Sequence, residues 1–314
     1  MPELPEVETI RLGFSRLIVG KVVANAQNYD SPKSFPNATT DVELFLAGAT
    51  VTQVRRRAKM LLIELSSDYT MMVHLKMTGQ LVYIPASIVS SRGSEVSQET
   101  SVACDERFGG GHPNDSLVGK LPDNTTRERI DFTDGSRLYF NDLRKFGYMK
   151  LVPTGGVPQT DFMQRVGPEP LEEGFTDEVL FARLQRRKNT SIKAAILDQS
   201  VLAGVGNIYA DESLWMAKIH PQTFVKDLSH AQVAVLRGAI VSVLQLSIDK
   251  GGSTDKNYVD AEGKKGSYLK FASVFRLEGQ PCPRCGATIE KIRVAGRGTH
   301  ICSRCQILDK KKIN

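Results

Sequence analysis

The spacing of apolar residues predicts a helix at the start of the chain and a run of strands after it. Val7, Ile10 and Phe14 recur every three or four residues, with Pro5 before them and Gly20 after them. This spacing is typical of an amphipathic helix that stops at a glycine. Short apolar runs then predict strands at 21–26, 50–57, 60–65, 70–75, 79–83, 129–133, 137–141 and 147–152. Because no helical pattern separates these strands, they indicate an antiparallel β-sandwich.

The pattern changes twice further along the chain. Residues 85–126 are rich in Ser, Gly, Asn and Asp, and they predict a flexible surface insertion. After about Pro153 the spacing becomes helical, at 176–185, 191–197, 208–218 and 229–248, and Ser229 with Gln232 can cap the last of these helices. The polar, glycine-bracketed stretch 251–266 is a candidate lid. We therefore predict an α+β chain of two domains, strand-rich first and helical second.

Composition narrows the class of protein. With 314 residues, 41% apolar and 24% charged, the chain has the values of an ordinary soluble globular protein. No apolar run is long enough to cross a bilayer, and the acidic, proline-bearing start is unlike a signal peptide, so we expect a cytoplasmic protein without a membrane partner. A net charge of +6 favours a polyanionic partner, although many unrelated proteins share it. Nothing in the sequence indicates an oligomer, so a monomer is expected.

Four of the five cysteines lie in two CxxC pairs near the C-terminus. Cys282 and Cys285 form the first pair, and Cys302 and Cys305 form the second after sixteen intervening residues. In a reducing compartment this spacing indicates a metal site and not a disulfide. Four thiolates complete a tetrahedral zinc site, so His300 is not needed as a ligand. The segment therefore predicts one structural Zn²⁺ on a small finger.

The first six residues, MPELPE, carry candidate chemistry. Removal of Met1 would leave Pro2 as a free secondary amine beside Glu3. An α-amino group has a pKa of about 8, so part of it is neutral and nucleophilic at pH 7. Its attack on a sugar C1′ gives an iminium that acidifies the C2′ proton, so the 3′-phosphate can leave by β-elimination while a carboxylate moves protons. Taken alone, the same residues fit an ordinary frayed terminus.

The motifs together resemble the bacterial formamidopyrimidine-DNA glycosylase family. The resemblance rests on six motifs in order, namely PELPEVETIR, RRRAKMLLIEL, HLKMTG, NDLRKFG, GVGNIYADE and the CxxC…CxxC finger. It covers the chain except for 85–126 and the Lys-rich tail. It implies a β-sandwich catalytic domain at 1–153, a helix–two-turn–helix domain at 154–273, and a zinc finger with a basic tail at 274–314. DNA would bind in the cleft between the domains.

The resemblance also implies roles for residues that match the family's motifs. Pro2 matches the nucleophile, Glu3 a proton donor and Glu6 a supporting carboxylate. Lys59 matches a lysine that contacts phosphate and assists β-elimination, since a cation suits a site where negative charge leaves. Arg297 matches the finger arginine that binds phosphates beside the flipped nucleotide and is linked to δ-elimination.

Other matching residues are implied to contact DNA. Met77, Arg144 and Phe146 match a triad that fills the hole left by an everted base, where apolar side chains replace stacking and Arg pairs with the orphaned base. The implied phosphate contacts are Lys188, Lys193 and Asn207.

The implied activity is a bifunctional glycosylase and AP lyase of base-excision repair. It would remove 8-oxoguanine and formamidopyrimidines from double-stranded DNA, act at abasic sites, and cut the strand by β- and δ-elimination. One alternative is an endonuclease VIII-like enzyme for oxidised pyrimidines, against which Leu4, Arg144 and Phe146 count. A catalytically silent damaged-DNA binder is a second alternative. A zinc-ribbon nucleic-acid binder is a third, but it leaves the N-terminal pattern unexplained.

Overall fold

The computed structural model of the protein describes residues 2–29, 32–91, 107–111, 119–253 and 266–308. The chain forms two compact units, the first comprising Met1–Met163 with Gly251–Gly266 and the second Gln164–Lys250 with Ser267–Asn314. These limits differ from the predicted domains, because residues 154–163 and the described ends of 251–266 belong to the first unit. Phe162 and Met163 explain part of the difference, since both pack against the buried residues of the first unit. The candidate lid lies mostly outside the described residues.

The first helix, α1, spans Leu4–Ile18 and begins with a reciprocal cap. Glu3 is the N-cap; its side chain accepts the backbone N–H of Glu6, whose side chain accepts the Glu3 N–H. Pro5 lies in the first turn, where a missing N–H costs nothing. The face buried in the core carries Val7, Ile10, Phe14 and Ile18. The cap and the buried face together fix the direction in which the N-terminal residues enter the helix.

Two antiparallel sheets form the predicted sandwich. Their strands are β1 (Val23–Asn28), β2 (Val51–Arg57), β3 (Met60–Leu65), β4 (Tyr69–His74), β5 (Gly79–Ile84), β6 (Phe108–Gly111), β7 (Thr126–Phe132), β8 (Arg137–Asp142) and β9 (Tyr148–Pro153). One sheet has the order β1-β7-β8-β5-β6 and the other β2-β3-β4-β9. Apolar residues of both sheets and of α1 share one core. A short helix α2 (Thr39–Asp41), continued by a π-helical turn, covers part of it.

Parts of the predicted flexible surface insertion at 85–126 have regular secondary structure in the residues that the structure describes. Helix α3 (Ala86–Ser91) lies there, and β6 pairs with β5 at the edge of the larger sheet. A Cβ at Gly110 would lie 2.8 Å from Cγ1 of Ile10 on α1, so the glycine allows a close approach between strand and helix. Residues 92–106 and 112–118 lie outside the described residues.

Glu128 on β7 is a buried carboxyl group that the sequence pattern did not distinguish. It is 2% exposed, lies opposite Phe140 on β8, and its Oε2 has no hydrogen-bond partner among the described residues. Burial raises the pKa of Glu128 to about 8. The folded protein therefore holds this group protonated at neutral pH. Its contribution to the free energy of unfolding is fully present below pH 4.5, where the unfolded chain is protonated as well, and is lost as the pH rises through 8.

Glu128→Gln should therefore stabilise the protein in a pH-dependent way. An amide resembles the protonated acid, so we expect little change at pH 4.5 and a gain of about 3 kcal/mol in the free energy of unfolding at pH 8. Urea unfolding at several pH values measures this difference. The exposed Glu43 provides the control, because Glu43→Gln makes the same change of side chain without altering a buried group, and it should not reproduce the gain. A Glu128→Gln protein that is less stable at pH 8 would contradict the neutral buried acid.

The second unit contains the predicted helices. They are α5 (Asp177–Gln185), α6 (Ile192–Leu197), α7 (Asn207–Met216) and α8 (His230–Asp249), preceded by α4 (Asp161–Arg165) at the unit boundary. Side-chain oxygens of Thr176, Ser191 and Ser229 cap three of them, and Ser229 completes the predicted capping box with Gln232. Helix α8 is long and apolar enough to cross a membrane, but its buried face packs in this unit against α5 and α7, which marks it as a core helix.

A small antiparallel hairpin completes the second unit. Its strands are β10 (Glu290–Val294) and β11 (Arg297–Ile301). The turn between them contains Ala295 and Gly296, both with positive φ. Glycine adopts this conformation without steric cost, which favours a tight turn here.

Candidate functional site

The N-terminal residues are held in place by one carboxylate. Pro2 is buried and Glu3 is 6% exposed. The Oε2 of Glu6 accepts the Glu3 backbone N–H at 2.8 Å, while its Oε1 accepts the N–H and hydroxyl of Ser253 at 2.8 and 2.9 Å. Glu6 therefore joins the backbone next to Pro2 to the first residues of the 251–266 stretch. The sequence did not reveal Ser253, because this contact spans 247 residues.

Lys59 lies in the turn between β2 and β3, beside a second buried group. Ala58 before it has a φ of 52°, and Lys59 itself is 5% exposed. At the end of β4, His74 is 6% exposed, and burial together with the charges of Lys76 and Lys59 lowers the pKa of this imidazole to about 3. Its Nδ1 accepts the Lys76 N–H at 3.0 Å, which leaves the proton on Nε2. His74 is therefore a neutral donor near Lys59, and the one signal for it in the sequence is its place at the start of HLKMTG.

The structure brings the predicted base-displacing triad together. Met77 is 48% exposed and Phe146 is 58% exposed, which is unusual for large apolar side chains. The Arg144 guanidinium lies 5.0 Å from the Phe146 ring centroid, and its Nη1 lies 3.3 Å from the Met77 Sδ. The three side chains form one exposed group with an apolar wedge and a hydrogen-bond donor.

Two of the three predicted phosphate contacts lie where such a contact is feasible. Lys188 is exposed, and Asn207 is half-buried at the start of α7. The Nδ2 of Asn207 donates to the carbonyl oxygen of Gly298 at 3.0 Å, next to Arg297. Arg297 is exposed at the first position of β11, directly after the hairpin turn.

The prediction that Lys193 grips phosphate is wrong. Its side chain is fully buried, and its Nζ donates to Asp211 Oδ1 at 2.6 Å, Thr299 Oγ1 at 2.7 Å and the Gly298 carbonyl oxygen at 3.3 Å. An ammonium group with three acceptors and no exposed surface has no room for a phosphate oxygen. Lys193 instead connects α6 to α7 and to the finger hairpin.

Helix α7 holds the finger through two acidic residues that were not predicted as site residues. The Oδ2 of Asp211 accepts the backbone N–H of His300 at 2.9 Å and lies 3.2 Å from its Nδ1. Glu212 accepts three backbone N–H groups, those of Ser273, Val274 and Phe275, at 2.8–2.9 Å. The available signal was the pair of adjacent carboxylates in the GVGNIYADE motif. The Asp211 bonds hold the hairpin strand that carries Arg297, and the Glu212 bonds hold the segment 273–275 that precedes the hairpin.

The four predicted cysteines form a metal-ligand cluster. Their Sγ atoms all lie within 4.8 Å of one another, with 3.4 Å between Cys285 and Cys302 and 3.9 Å between Cys282 and Cys305. Four sulfurs around one Zn²⁺ at about 2.3 Å would be roughly 3.8 Å apart, so the donor set fits zinc. Burial opposes ionisation of Cys282, but hydrogen bonds from the Arg284 and Cys285 backbone and from Trp215 lower its pKa to about 6. This thiol is therefore prepared to bind a metal as a thiolate.

Comparisons with known proteins agree with this arrangement. The family models for the formamidopyrimidine-DNA glycosylase N-terminal domain, its H2TH domain, and the zinc finger found in FPG and IleRS match residues 1–149, 166–258 and 279–307. The formamidopyrimidine-DNA glycosylase of Pediococcus pentosaceus is 42% identical over 98% of this chain and 100% of its own length. These matches confirm the predicted family, the predicted fold class and the four-cysteine zinc finger.

Two solved structures are similar to this one over 98% of the chain. The complex between the Lactococcus lactis Fpg and an abasic site containing DNA has a TM-score of 0.78 and 31% identity, covering 98% of this chain and 100% of that one. MutM in complex with carbocyclic 8-oxo-G containing DNA has a TM-score of 0.77, 31% identity and the same coverage. With three family models in order and a relative above 40% identity, the chain belongs to the formamidopyrimidine-DNA glycosylase family.

Proposed function

We propose that the protein is a bifunctional DNA glycosylase and AP lyase that removes oxidised purines from double-stranded DNA. The substrates are 8-oxoguanine, formamidopyrimidines and abasic sites, in line with the name of the family and the DNA bound by the relatives. The observation that carries the proposal is the buried Pro2 beside the Glu3–Glu6 cap, because that cap fixes an N-terminal nitrogen next to a carboxyl group. The oxidised-pyrimidine and silent-binder alternatives become outcomes of the test below.

The chemistry begins at the Pro2 nitrogen after removal of Met1. Its lone pair forms a bond to the sugar C1′, the bond from C1′ to the base breaks with its electrons on the base, and the proton of the amine passes to the departing base. Glu3 supplies a proton as the sugar ring opens, which leaves a cationic iminium. Loss of the C2′ proton then expels the 3′-phosphate, and a second elimination expels the 5′-phosphate. Water finally hydrolyses the iminium and restores the amine.

Cations and the finger assist the later steps. Lys59 lies at a buried turn, where its charge stabilises the departing phosphate. The neutral His74 near it donates a hydrogen bond to the same phosphate. Lys188, Asn207 and Arg297 bind the phosphates around the lesion. One structural Zn²⁺ would hold the hairpin that presents Arg297, without an open coordination position for catalysis.

The protein acts as a monomer on its DNA. A soluble intracellular location follows from the family, and we assign it to the cytoplasm because four metal-binding thiols require a reducing compartment. DNA is its macromolecular partner, consistent with the net positive charge.

Borohydride trapping tests the proposal directly. The protein is incubated with borohydride and duplexes that carry 8-oxoguanine, an oxidised pyrimidine or an abasic site. We expect a covalent adduct with the 8-oxoguanine and abasic duplexes, because reduction fixes the iminium. An adduct formed faster with the oxidised pyrimidine would favour the endonuclease VIII-like alternative. Binding to damaged DNA without any adduct would establish the silent binder.

A further inference from the structure

We propose that Asp142 is a positioning residue that joins the two loops of the base-displacing triad into one rigid unit. The first loop, residues 75–78, carries Met77, and the second, residues 143–147, carries Arg144 and Phe146. This inference rests on the proposed function, since it assigns the triad the task of replacing an everted base. It adds a residue that contacts neither the reacting atoms nor the wedge tips.

The two loops leave the larger sheet side by side. β5 begins at Gly79 and β8 ends at Asp142, and these two residues are direct partners in the antiparallel pair. The loop 75–78 therefore enters the sheet at the point where the loop 143–147 leaves it. A group at this position can contact both loops, although Thr78 and Asp142 are 64 residues apart in sequence.

The Asp142 carboxylate contacts both loops at once. It is fully buried, its Oδ1 accepts the Thr78 hydroxyl and the Arg144 N–H, the latter at 3.2 Å, and its Oδ2 accepts the Gly147 N–H at 2.6 Å. The Thr78 hydroxyl oxygen also accepts the Arg144 N–H at 3.1 Å. Hydrogen bonds to a buried charged acceptor are among the stronger ones in proteins. One side chain thus fixes the start and the end of the second loop against the first.

The backbone around this carboxylate is also fixed. The N–H of Asp142 donates to the Thr125 carbonyl oxygen, and its own carbonyl oxygen accepts from Arg127 Nε, both at 2.8 Å. At Gly147 a Cβ would lie 2.8 Å from the Phe140 ring and 3.1 Å from the Asp142 Oδ2, so only glycine allows this approach. The carboxylate therefore has little freedom to move away from either loop.

Each loop contains one residue in a conformation that needs support. Lys76 and Lys145 have φ values of 51° and 58°, in the left-handed region that non-glycine residues disfavour. Such residues persist where surrounding bonds determine the backbone, and the bonds of Asp142 provide this on both loops. Without them we expect both loops to relax and the three exposed side chains to lose their common position.

The functional consequence concerns base displacement and not the amine chemistry. Met77 and Phe146 are about half exposed, so core packing does not place them. A wedge that replaces a stacked base must be in position before the base leaves, because ordering it later adds an entropic cost. Loss of the Asp142 link should therefore slow reaction on stacked duplex DNA. A single-stranded abasic oligonucleotide has no base to displace and should be unaffected.

The test compares Asp142→Asn, Thr78→Val and the double variant with the wild type. The control is Asp134→Asn in the β7–β8 turn, whose carboxylate bonds the Ser136 N–H and hydroxyl at the far end of the same strands. Two rates are measured, namely the fluorescence change of a 2-aminopurine next to the lesion and single-turnover borohydride trapping. Each rate is measured on an 8-oxoguanine duplex, and trapping is also measured on single-stranded abasic DNA.

We expect both duplex rates to fall roughly tenfold in either single variant, while single-strand trapping stays within about twofold of wild type. The double variant should lose little more than one single variant, because both break the same link. Thr78→Ser keeps the hydroxyl and should restore the duplex rates. If Asp142→Asn does not fold, the rates of Thr78→Val and Thr78→Ser provide the same comparison between a broken and an intact link.

Each other outcome has a distinct meaning. A wild-type protein that traps neither DNA would overturn the proposed function itself. A trapping wild type with unchanged rates in Asp142→Asn and Thr78→Val would overturn the role of Asp142. An equal loss on duplex and single-stranded DNA would also overturn it, because the defect would then lie in the chemistry or the fold.

Discussion

Pro2→Gly is expected to reduce the borohydride-trapped adduct on abasic DNA roughly tenfold or more. A secondary amine gives an iminium that keeps its positive charge, and both β-elimination and hydride addition depend on that charge. A glycine gives a primary amine, and the imine that it forms can lose its N–H proton and become neutral. A neutral imine withdraws much less electron density from the sugar than the cationic iminium does. Glycine also lacks the ring that Pro2 buries, so the terminal nitrogen becomes more mobile. Quantifying the adduct by gel after single-turnover trapping measures the effect.

The matched control lies three residues away. Pro5 occupies the first turn of α1, is buried like Pro2, and has no free amine to offer. Pro5→Ala should therefore leave trapping within about twofold of wild type, since alanine also suits a first helical turn. Undiminished trapping by Pro2→Gly would remove Pro2 from the mechanism. An equal loss in both variants would assign the defect to the helix start and not to the amine.

Local patterns sufficed for the elements whose stabilising contacts are close in sequence. Helix α1 and the cap of α8 rest on bonds three residues apart, and both agree with the prediction. The four-cysteine cluster was equally accessible, because its two CxxC pairs are a local signal with few other meanings. Most of the predicted strands lie within a few residues of the observed ones, since their apolar alternation reflects a shared core.

Long-range contacts explain what the sequence did not reveal. β6 is nearly all glycine, which has low strand propensity, and it is a strand only because the edge of β5 provides its partner. Lys193 resembled a surface lysine because its acceptors Asp211 and Thr299 lie 18 and 106 residues away. Asp142 likewise gains its contacts across two loops. Buried polar groups of this kind are recognised only once their partners are known.

The zinc finger provides the second large expected effect. Cys302→Ser replaces one of four thiolates with a hydroxyl, which is a poor zinc ligand at neutral pH. Binding of a structural zinc supplies about 10–16 kcal/mol in finger peptides, and the finger here has only a small core around Trp215, Val274 and Ile289. The hairpin that carries Arg297 should therefore lose its fixed position when the metal is lost.

We expect Cys302→Ser to contain almost no zinc after dialysis against a chelator and to bind abasic duplex DNA about 100-fold more weakly, since several phosphate contacts depend on the finger. Metal analysis and a titration at fixed salt measure the two quantities. Cys104→Ser is the matched control, because Cys104 belongs to neither CxxC pair, and it should match wild type in both. Arg297→Ala distinguishes loss of the zinc from loss of the phosphate contact, because this variant should keep its zinc and still bind DNA more weakly. Wild-type affinity in a zinc-free Cys302→Ser protein would mean that the hairpin holds Arg297 through the bonds of Asp211 and Lys193 alone, without help from the metal.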